Sequence, residues 1–115
     1  MQNNDPVVAE SANNFPPERL KSRLIDLYAY SSDASFYTLV PRAVVFPINL
    51  EEISLLFRLA GKLAVPITFR TAGTSLSGQT VTDGVLVDVS KYWGAVKVED
   101  NGAYVRVQPG VTGAV

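Results

Sequence analysis

Apolar and polar residues recur with two different periods along the chain, and these periods predict its helices and strands. From Leu50 to Leu63, apolar residues recur at the three- and four-residue spacing of one helical face. Asn49 immediately precedes this stretch, and Glu52 lies three residues after Asn49. This spacing is a variant of the capping box, a motif found at the N-termini of helices. The pattern predicts a helix that begins after Asn49, and Pro66 discourages its continuation.

Runs of β-branched and aromatic residues on both sides of this helix predict strands. Val44 to Phe46 form one run, which ends at Pro47, and Ile67 to Arg70 form the next. Since a helix connects them, the two strands should lie parallel in one sheet. The stretch GVLVDVS, residues 84–90, is nearly all apolar, as in a buried strand.

The two ends of the chain carry weaker patterns. Residues 1–14 contain four asparagines, and we expect a mobile lead-in there; residues 15–115 then form one domain. Residues 15–30 predict a helix with Pro17 in its first turn. AVKVED and AYVRVQP alternate around DNG and predict a hairpin with a tight turn near Asn101 and Gly102. PGVTGAV resembles the start of a helix that stops in mid-element, so we expect part of a longer protein.

These elements predict an α+β fold, and the composition narrows the function. With 115 residues, 47% of them apolar, the chain fits one globular domain. Its 10 basic and 11 acidic residues make no basic surface for nucleic acids or anionic membranes. It has no cysteine for disulfides and no histidine for proton transfer. Without a signal sequence or an apolar stretch of about 18 residues, we expect a cytoplasmic protein with no membrane-spanning segment.

The stretch FRTAGTSLSGQTVTDG, residues 69–84, carries the candidate chemistry. A loop of small residues, Thr71 to Gly78, follows a predicted strand, where backbone amides can converge on an anion. Gly73 and Gly78 permit positive φ angles, and hydroxyl donors come from Thr71, Thr74, Ser75 and Ser77. A diphosphate fits this chemistry. The alternative, equally open from composition, is a long polar surface loop.

Two standard phosphate motifs are absent from this loop. It lacks the lysine of GxxxxGK[ST], and its glycine spacing differs from GxGxxG. Neither a P-loop nucleotidase nor a nicotinamide-binding fold is therefore supported.

The order of motifs resembles a known family of flavoproteins. VVFP, a helix, VPITFRTAGTSLSGQ, GVLVDVS and VRVQPGV resemble, in this order, the first half of the PCMH-type FAD-binding domain of the vanillyl-alcohol oxidase superfamily. Together with DASFYTLVP, the chain is similar to D-lactate and glycolate dehydrogenases, especially the large members with an iron-sulfur segment. The resemblance covers roughly residues 20–115. It implies the incomplete N-terminal part of that domain.

The resemblance implies a role for individual positions. The loop from Arg70 to Gln79 would surround the FAD pyrophosphate, and Pro47 would lie beside the cofactor. Pro109 and Gly110 would approach the flavin ring. The cofactor-binding set it implies is Pro47, Arg70, Thr71, Ala72, Gly73, Thr74, Ser75, Leu76, Gly78, Gln79, Pro109 and Gly110. From the residues alone, Arg70 pairs with a phosphate or faces solvent, and the Pro-Gly turn is structurally ordinary.

Several positions depart from the family or have structural interpretations. Thr74 stands where members with covalent FAD often have histidine, so we expect non-covalent FAD. Ala72 and Ala64 stand where glycine is common; Ala72 fits if its φ is negative, and a left-handed Ala64 would cost about 1 kcal/mol. We expect Asp88 and Ser90 to form a turn with side-chain to backbone hydrogen bonds. Tyr92 and Trp93 are assigned to packing.

The resemblance implies oxidation of a small 2-hydroxy acid such as D-lactate or glycolate, by hydride transfer to FAD. The catalytic base, metal ligands and substrate-binding residues would lie after Val115, so this chain alone should be inactive, and iron-sulfur clusters would belong only to a full-length protein. A peripheral location at the inner face of the membrane is a further possibility that the resemblance leaves open.

Two alternative functions remain: a non-redox diphosphate- or nucleotide-binding module, and an interaction domain. Exposed apolar area should make the chain self-associate.

Overall fold

The fold is described by a computed structural model for residues 5–113 of the 115-residue chain. Within these residues, three α-helices and six strands follow one another in the order α1 (Pro6–Ala12), β1 (Leu20–Lys21), α2 (Leu24–Ala29), β2 (Ala43–Val45), α3 (Leu50–Leu63), β3 (Ile67–Arg70), β4 (Val85–Asp88), β5 (Val96–Glu99) and β6 (Tyr104–Val107). The predicted α+β class is confirmed. None of the helices in this part of the chain is both long and apolar enough to cross a bilayer.

A mixed four-stranded sheet with the order β1-β2-β4-β3 organises the molecule. β4 lies in the middle and pairs in parallel with both β2 and β3, so that Leu86 is opposite Val44 on one side and Thr68 on the other. The predicted parallel arrangement of the strands around α3 is confirmed, with β4 between them. All four residues of β4 are buried, as its apolar sequence predicts.

Apolar side chains fill both faces of this sheet. On one face, Val45, Val85 and Val87 pack in a cluster with Leu56 of α3 and Val7 of α1. On the other face, a smaller cluster contains Val44, Phe46, Leu86 and Leu27 of α2. The alternation along the strands therefore directs neighbouring residues to opposite sides, and the helices cover both sides.

α3 begins and ends as the sequence predicts. The Asn49 side chain accepts a hydrogen bond of 2.8 Å from the amide of Glu52. In return, the Glu52 carboxylate accepts from the amide of Ile48 at 2.8 Å, one residue before the cap. At the other end Ala64 is left-handed, with φ 55° and ψ 47°, and its amide donates to the carbonyl of Ala60.

The prediction of a single helix over residues 15–30 is wrong. A 3-10 turn, Pro17–Arg19, comes first, then β1, and only Leu24–Ala29 form a helix. β1 pairs antiparallel with β2, with Leu20 opposite Val45. Because this pairing satisfies the open edge of β2, tertiary hydrogen bonding outweighs the helical pattern of the leucines.

Within the predicted lead-in, residues 6–12 form α1, a helix that the sequence pattern did not predict, with Val7, Val8 and Ser11 buried. Asp5 accepts a hydrogen bond from the amide of Val7 and pairs with Arg42 at 2.7 Å. Val7 and Val8 provide enough apolar surface for this short helix to pack on the core, although asparagines flank it in the sequence. Residues 1–4 lie outside the described part.

The hairpin is confirmed and the last predicted helix is not. β5 and β6 form a separate two-stranded sheet, with Asn101 and Gly102 at positive φ in its turn. Pro109 and Gly110 form a turn, and the described residues that follow, 111–113, are not helical. The final two positions of that prediction, 114 and 115, lie outside the described residues.

Candidate functional site

The candidate site lies at the carboxyl ends of three parallel strands. β2, β3 and β4 run in the same direction, so the residues that follow them meet at one edge of the sheet. Pro47 follows β2 closely, and residues 71–80, called the glycine-rich loop here, leave β3 directly. At the end of β4, Asp88 accepts hydrogen bonds from the Ser90 amide at 2.8 Å and from the Ser90 hydroxyl at 2.6 Å, which confirms the predicted turn.

The two glycines of the loop have the predicted left-handed backbone. Gly73 has φ 69° and Gly78 has φ 74°, whereas Ala72 is not among the residues with positive φ. Both glycines also lie against a neighbouring side chain. A Cβ atom at Gly73 would collide with the Arg70 guanidinium, and one at Gly78 would lie 2.7 Å from the Tyr37 ring. The left-handed backbone therefore favours glycine at both positions, and at Gly78 the adjacent Tyr37 side chain also leaves no room for a Cβ atom.

Most polar groups of the loop remain open to a ligand. Within residues 5–113, no atom accepts a hydrogen bond from the backbone amides of Thr71, Ala72, Gly73, Thr74, Leu76 and Gly78. Ser75 has a different role, because its hydroxyl accepts from the amides of Ser77 and Gln79, each at 3.2 Å. The loop is thus held by the hydrogen bonds to the Ser75 hydroxyl, while several of its other backbone N–H groups have no acceptor in the described chain. Backbone N–H groups of this kind can bind oxyanions.

Arg70 holds the start of the loop. Its Nη1 donates to the carbonyl of Ser32 at 2.8 Å, and its guanidinium lies 5.6 Å from the centre of the Tyr30 ring. The side chain is thus docked on a neighbouring segment, an arrangement that neither sequence interpretation of Arg70 includes. Its position beside Gly73 keeps a positive charge next to the loop.

Asp33 holds the end of the loop. One carboxylate oxygen accepts from the Thr80 hydroxyl at 3.0 Å and amide at 3.4 Å. The other accepts from the Ser35 amide at 2.8 Å and from the Ser35 hydroxyl. These hydrogen bonds lower the pKa of Asp33 to about 2. The bond from the Ser35 hydroxyl has the largest effect, and the Ser35 amide and the two Thr80 donors add to it. The group is therefore a carboxylate at neutral pH.

A largely apolar cavity of about 420 Å³ opens beside the loop. It brings together three of the predicted site residues, Arg70, Thr71 and Pro109, with Thr80 and Trp93. Its other walls are aliphatic and aromatic, from Leu50, Ile53, Phe69 and Val89. An aromatic ring fits a cavity of this size and lining.

Trp93 connects the remaining predicted positions. Its indole Nε1 donates to the carbonyl of Pro47 at 2.7 Å, and its own carbonyl accepts from the amide of Gly110 at 2.7 Å. Only 8% of its surface is exposed. Pro47 and Gly110 therefore lie behind the cavity wall. Trp93 is packed, as predicted, but it also lines the cavity, which was not predicted. The sequence does contain one indication of this second role, because a buried indole N–H needs a hydrogen-bond acceptor nearby.

The other predicted residues are spread along the loop surface. Ala72, Thr74 and Gln79 are exposed, and Leu76 is 80% exposed. They do not line the cavity. Asp33 and Tyr37 were not predicted as site residues. They lie about 40 residues before the loop, and the stretch DASFYTLVP, which contains them, does not indicate what they contact.

Comparisons with known proteins identify a matching family. The family described as FAD binding domain matches residues 41–115. The D-2-hydroxyglutarate dehydrogenase of Pantoea ananatis (strain AJ13355) is 36% identical over 90 residues, which are 75% of this chain and 9% of the relative. The glycolate oxidase subunit GlcD of Bacillus subtilis (strain 168) is 35% identical over 98 residues, 83% of this chain and 21% of the relative. The chain thus spans only a small part of these relatives' length.

Solved structures share the fold. Alkyldihydroxyacetonephosphate synthase superposes with a TM-score of 0.78 at 23% identity, over 98% of this chain and 24% of that one. p-Cresol methylhydroxylase with bound substrate superposes with a TM-score of 0.77 at 18% identity, over 92% and 22%. At these identities the likeness concerns the fold alone.

Proposed function

Because the chain belongs to the FAD binding domain family, we propose that its glycine-rich loop holds the diphosphate of FAD. The proposal rests above all on one observation: six backbone amides of the loop have no acceptor within residues 5–113. Open amides beside left-handed glycines are donors of the kind from which phosphate oxygens accept hydrogen bonds. The chain would thereby supply one part of a cofactor site.

The residues present fit FAD in charge and shape. Thr71, Ala72, Gly73, Thr74 and Gly78 would donate to the diphosphate through their amides, and Ser75 would keep the loop folded. The Arg70 guanidinium would offset part of the ligand's negative charge. The apolar cavity beside Thr71 and Pro109 would accept an aromatic ring of the dinucleotide.

We further propose that FAD is held without a covalent bond to this loop. Thr74 carries a hydroxyl where a covalent link would need a nucleophile such as histidine, and the chain contains neither histidine nor cysteine. The iron-sulfur clusters that the resemblance allows would have no cysteine ligand in these 115 residues.

The proposed reaction is the oxidation of a small 2-hydroxy acid by a larger flavin-dependent oxidoreductase. The names of two relatives, D-2-hydroxyglutarate dehydrogenase and glycolate oxidase subunit GlcD, support this substrate class. FAD would supply the acceptor for the hydride that leaves the α carbon. The residues of this chain would bind and orient the cofactor. No histidine is present to take the hydroxyl proton, so that step is not assigned to them.

A titration with FAD and with ADP, followed by flavin absorbance and by competition, tests the proposal. We expect FAD to bind more tightly than ADP, and Gly73→Asp to weaken FAD binding at least tenfold. The new side chain would collide with Arg70 and place a carboxylate among the amide donors. Gly102→Asp is the matched control, because Gly102 also has positive φ, 96°, but lies in the hairpin turn with open space around it.

The outcomes separate the alternatives. Equal binding of FAD and ADP, both lost in Gly73→Asp, would indicate a non-redox diphosphate-binding module. Equal effects of the two substitutions would remove the loop from the site. A folded chain that binds neither ligand would contradict FAD binding by these residues alone and would favour an interaction domain.

A further inference from the structure

The segment from Tyr30 to Leu39 contacts Arg70, which immediately precedes the glycine-rich loop, and Gly78 and Thr80 near the end of the loop. At the start, the Arg70 side chain donates to the Ser32 carbonyl. Two residues before the end, the Tyr37 ring occupies the space where Gly78 has no side chain. At the end, Asp33 accepts two hydrogen bonds from Thr80. The loop therefore lies on a second loop and owes its shape to it.

The supporting segment has an ordered structure of its own. A bridge pairs Ser32 with Thr38, and the Leu39 amide donates to the Ser31 carbonyl at 3.0 Å. Inside this turn, Asp33 accepts from the Ser35 amide, and Ser35 in turn accepts from the Tyr37 amide at 3.1 Å. The Asp33 carboxylate thus joins the interior of one turn to the end of the other loop, 47 residues later.

The charge of Asp33 makes its place unusual. All its hydrogen-bond partners in the described chain are neutral, and it forms none of the ion pairs there. A carboxylate beside a loop that receives a diphosphate repels the ligand. Its presence is therefore explained by what it does to the loop and not by direct attraction of the ligand.

We propose that Asp33 is a positioning residue that holds the end of the glycine-rich loop in its anion-binding shape, an inference that rests on the proposed function of the loop. The four hydrogen bonds fix Thr80 relative to Ser35. Thr80 also lines the cavity beside Thr71, so fixing it keeps both the amide donors and the cavity wall in place. The loop then meets its ligand without first losing conformational entropy.

Two physical effects predict opposite results for Asp33→Asn. If electrostatics alone acted, removal of the negative charge would strengthen FAD binding. If Asp33 positions the loop, binding weakens, because an Asn amide group cannot accept hydrogen bonds on its nitrogen side. We expect FAD affinity to fall about three- to tenfold. Thr80→Val removes the partner hydroxyl and should give a similar loss, and the double variant should lose little more than either single variant.

A measurement without ligand separates this inference from the proposed function. Backbone ¹⁵N relaxation of the unliganded wild-type chain should give order parameters of about 0.85 for residues 71–80. In Asp33→Asn the order parameters of the same residues should fall below about 0.6. Asp26→Asn is the matched control, since it makes the same charge change and loses only an exposed pair with Arg23 at 3.0 Å. The denaturation midpoint of each variant shows whether the whole fold is affected.

The results decide each statement separately. Unchanged order parameters in Asp33→Asn, or FAD binding that stays equal or becomes tighter, would overturn the positioning role. A similar loss of loop order in Asp26→Asn would also overturn it. If the wild-type chain does not bind FAD, the proposed function fails, and the relaxation measurement still decides whether Asp33 orders the loop.

Discussion

At the scale of single residues, the end of α3 is a position where side chain and backbone conformation are mismatched. Ala64 adopts the left-handed conformation that glycine adopts without steric cost. We predict that Ala64→Gly raises the free energy of unfolding by about 1 kcal/mol, since the Cβ clash disappears. Denaturant unfolding measures the change.

A second glycine of the same helix provides the matched control. Gly61 lies inside α3, and a Cβ atom there would meet nothing within 4 Å. Gly61→Ala should therefore also stabilise the chain, by about 0.5–1 kcal/mol, for the opposite reason: helical backbone favours alanine. If Ala64→Gly were neutral while Gly61→Ala stabilised the protein, the strain assigned to Ala64 would be absent.

The candidate site was partly predictable at this scale. The positive φ of Gly73 and Gly78 agrees with their residue type, because glycine adopts this backbone without the steric cost of a Cβ atom. The contacts of Asp33 and Tyr37 do not follow in this way. They form because folding brings together two loops that β2, α3 and β3 separate in the sequence. Only the folded chain brings them together.

At the scale of elements, the ion pair between Arg19 and Glu52 joins the segment before β1 to α3. Arg19 makes two hydrogen bonds with the Glu52 carboxylate, at 2.5 and 2.9 Å, and a third with the Phe46 carbonyl at 3.2 Å. Both side chains are mostly buried, with 13% and 17% exposed. Arg19 thereby orients β1 along the edge of β2 and explains why residues 15–30 are not one helix.

We predict that Glu52→Gln lowers the free energy of unfolding by about 1.5–3 kcal/mol at pH 7, because the charged hydrogen bonds to Arg19 are lost. The hydrogen bond from Arg19 lowers the pKa of Glu52 below its ordinary value of 4.5. The stabilisation is therefore complete above pH 4.5 and is lost as the pH falls through the lower, folded value. Denaturant unfolding of both proteins between pH 3 and 7 tests this.

Glu51→Gln is the control at the same end of α3. Glu51 is exposed and lies in the first turn, so it interacts with the helix dipole but forms no ion pair among residues 5–113. Its substitution should cost about 0.5 kcal/mol or less. A difference between wild type and Glu52→Gln that stays constant down to pH 3 would contradict the assigned pair.

The elements were predictable where local and tertiary preferences agree. α3 has a cap, an apolar face and a following proline, and β4 is apolar throughout, so both were predicted. α1 and β1 were not, because their stability comes from docking. Val7 is fully buried against the core, and Leu20 pairs with Val45 across the edge of the sheet. Neither partner is visible in a local pattern.

At the scale of the whole molecule, the hairpin is the least covered part of the fold. β5 and β6 form a sheet of two strands, which is marginally stable when nothing packs on it. Four valines that lie opposite one another in its register share one face, called the valine face here: Val96, Val98, Val105 and Val107. Each of them is 52–63% exposed. The opposite face carries Lys97, Glu99 and Arg106, which form ion pairs.

The valine face leads to the last prediction, that the chain self-associates through it. Contact between two such faces would remove apolar area from water, and both hairpin edges are open to pairing. Sedimentation should give a weight-average mass that rises with concentration. Val98→Lys should shift this rise to roughly tenfold higher concentration, equivalent to about 1.4 kcal/mol. Lys97→Thr changes the opposite face of the same strand and should leave the rise in place. A strictly monomeric wild-type chain across the concentration series would refute self-association, and equal behaviour of the two variants would move the contact away from the valine face.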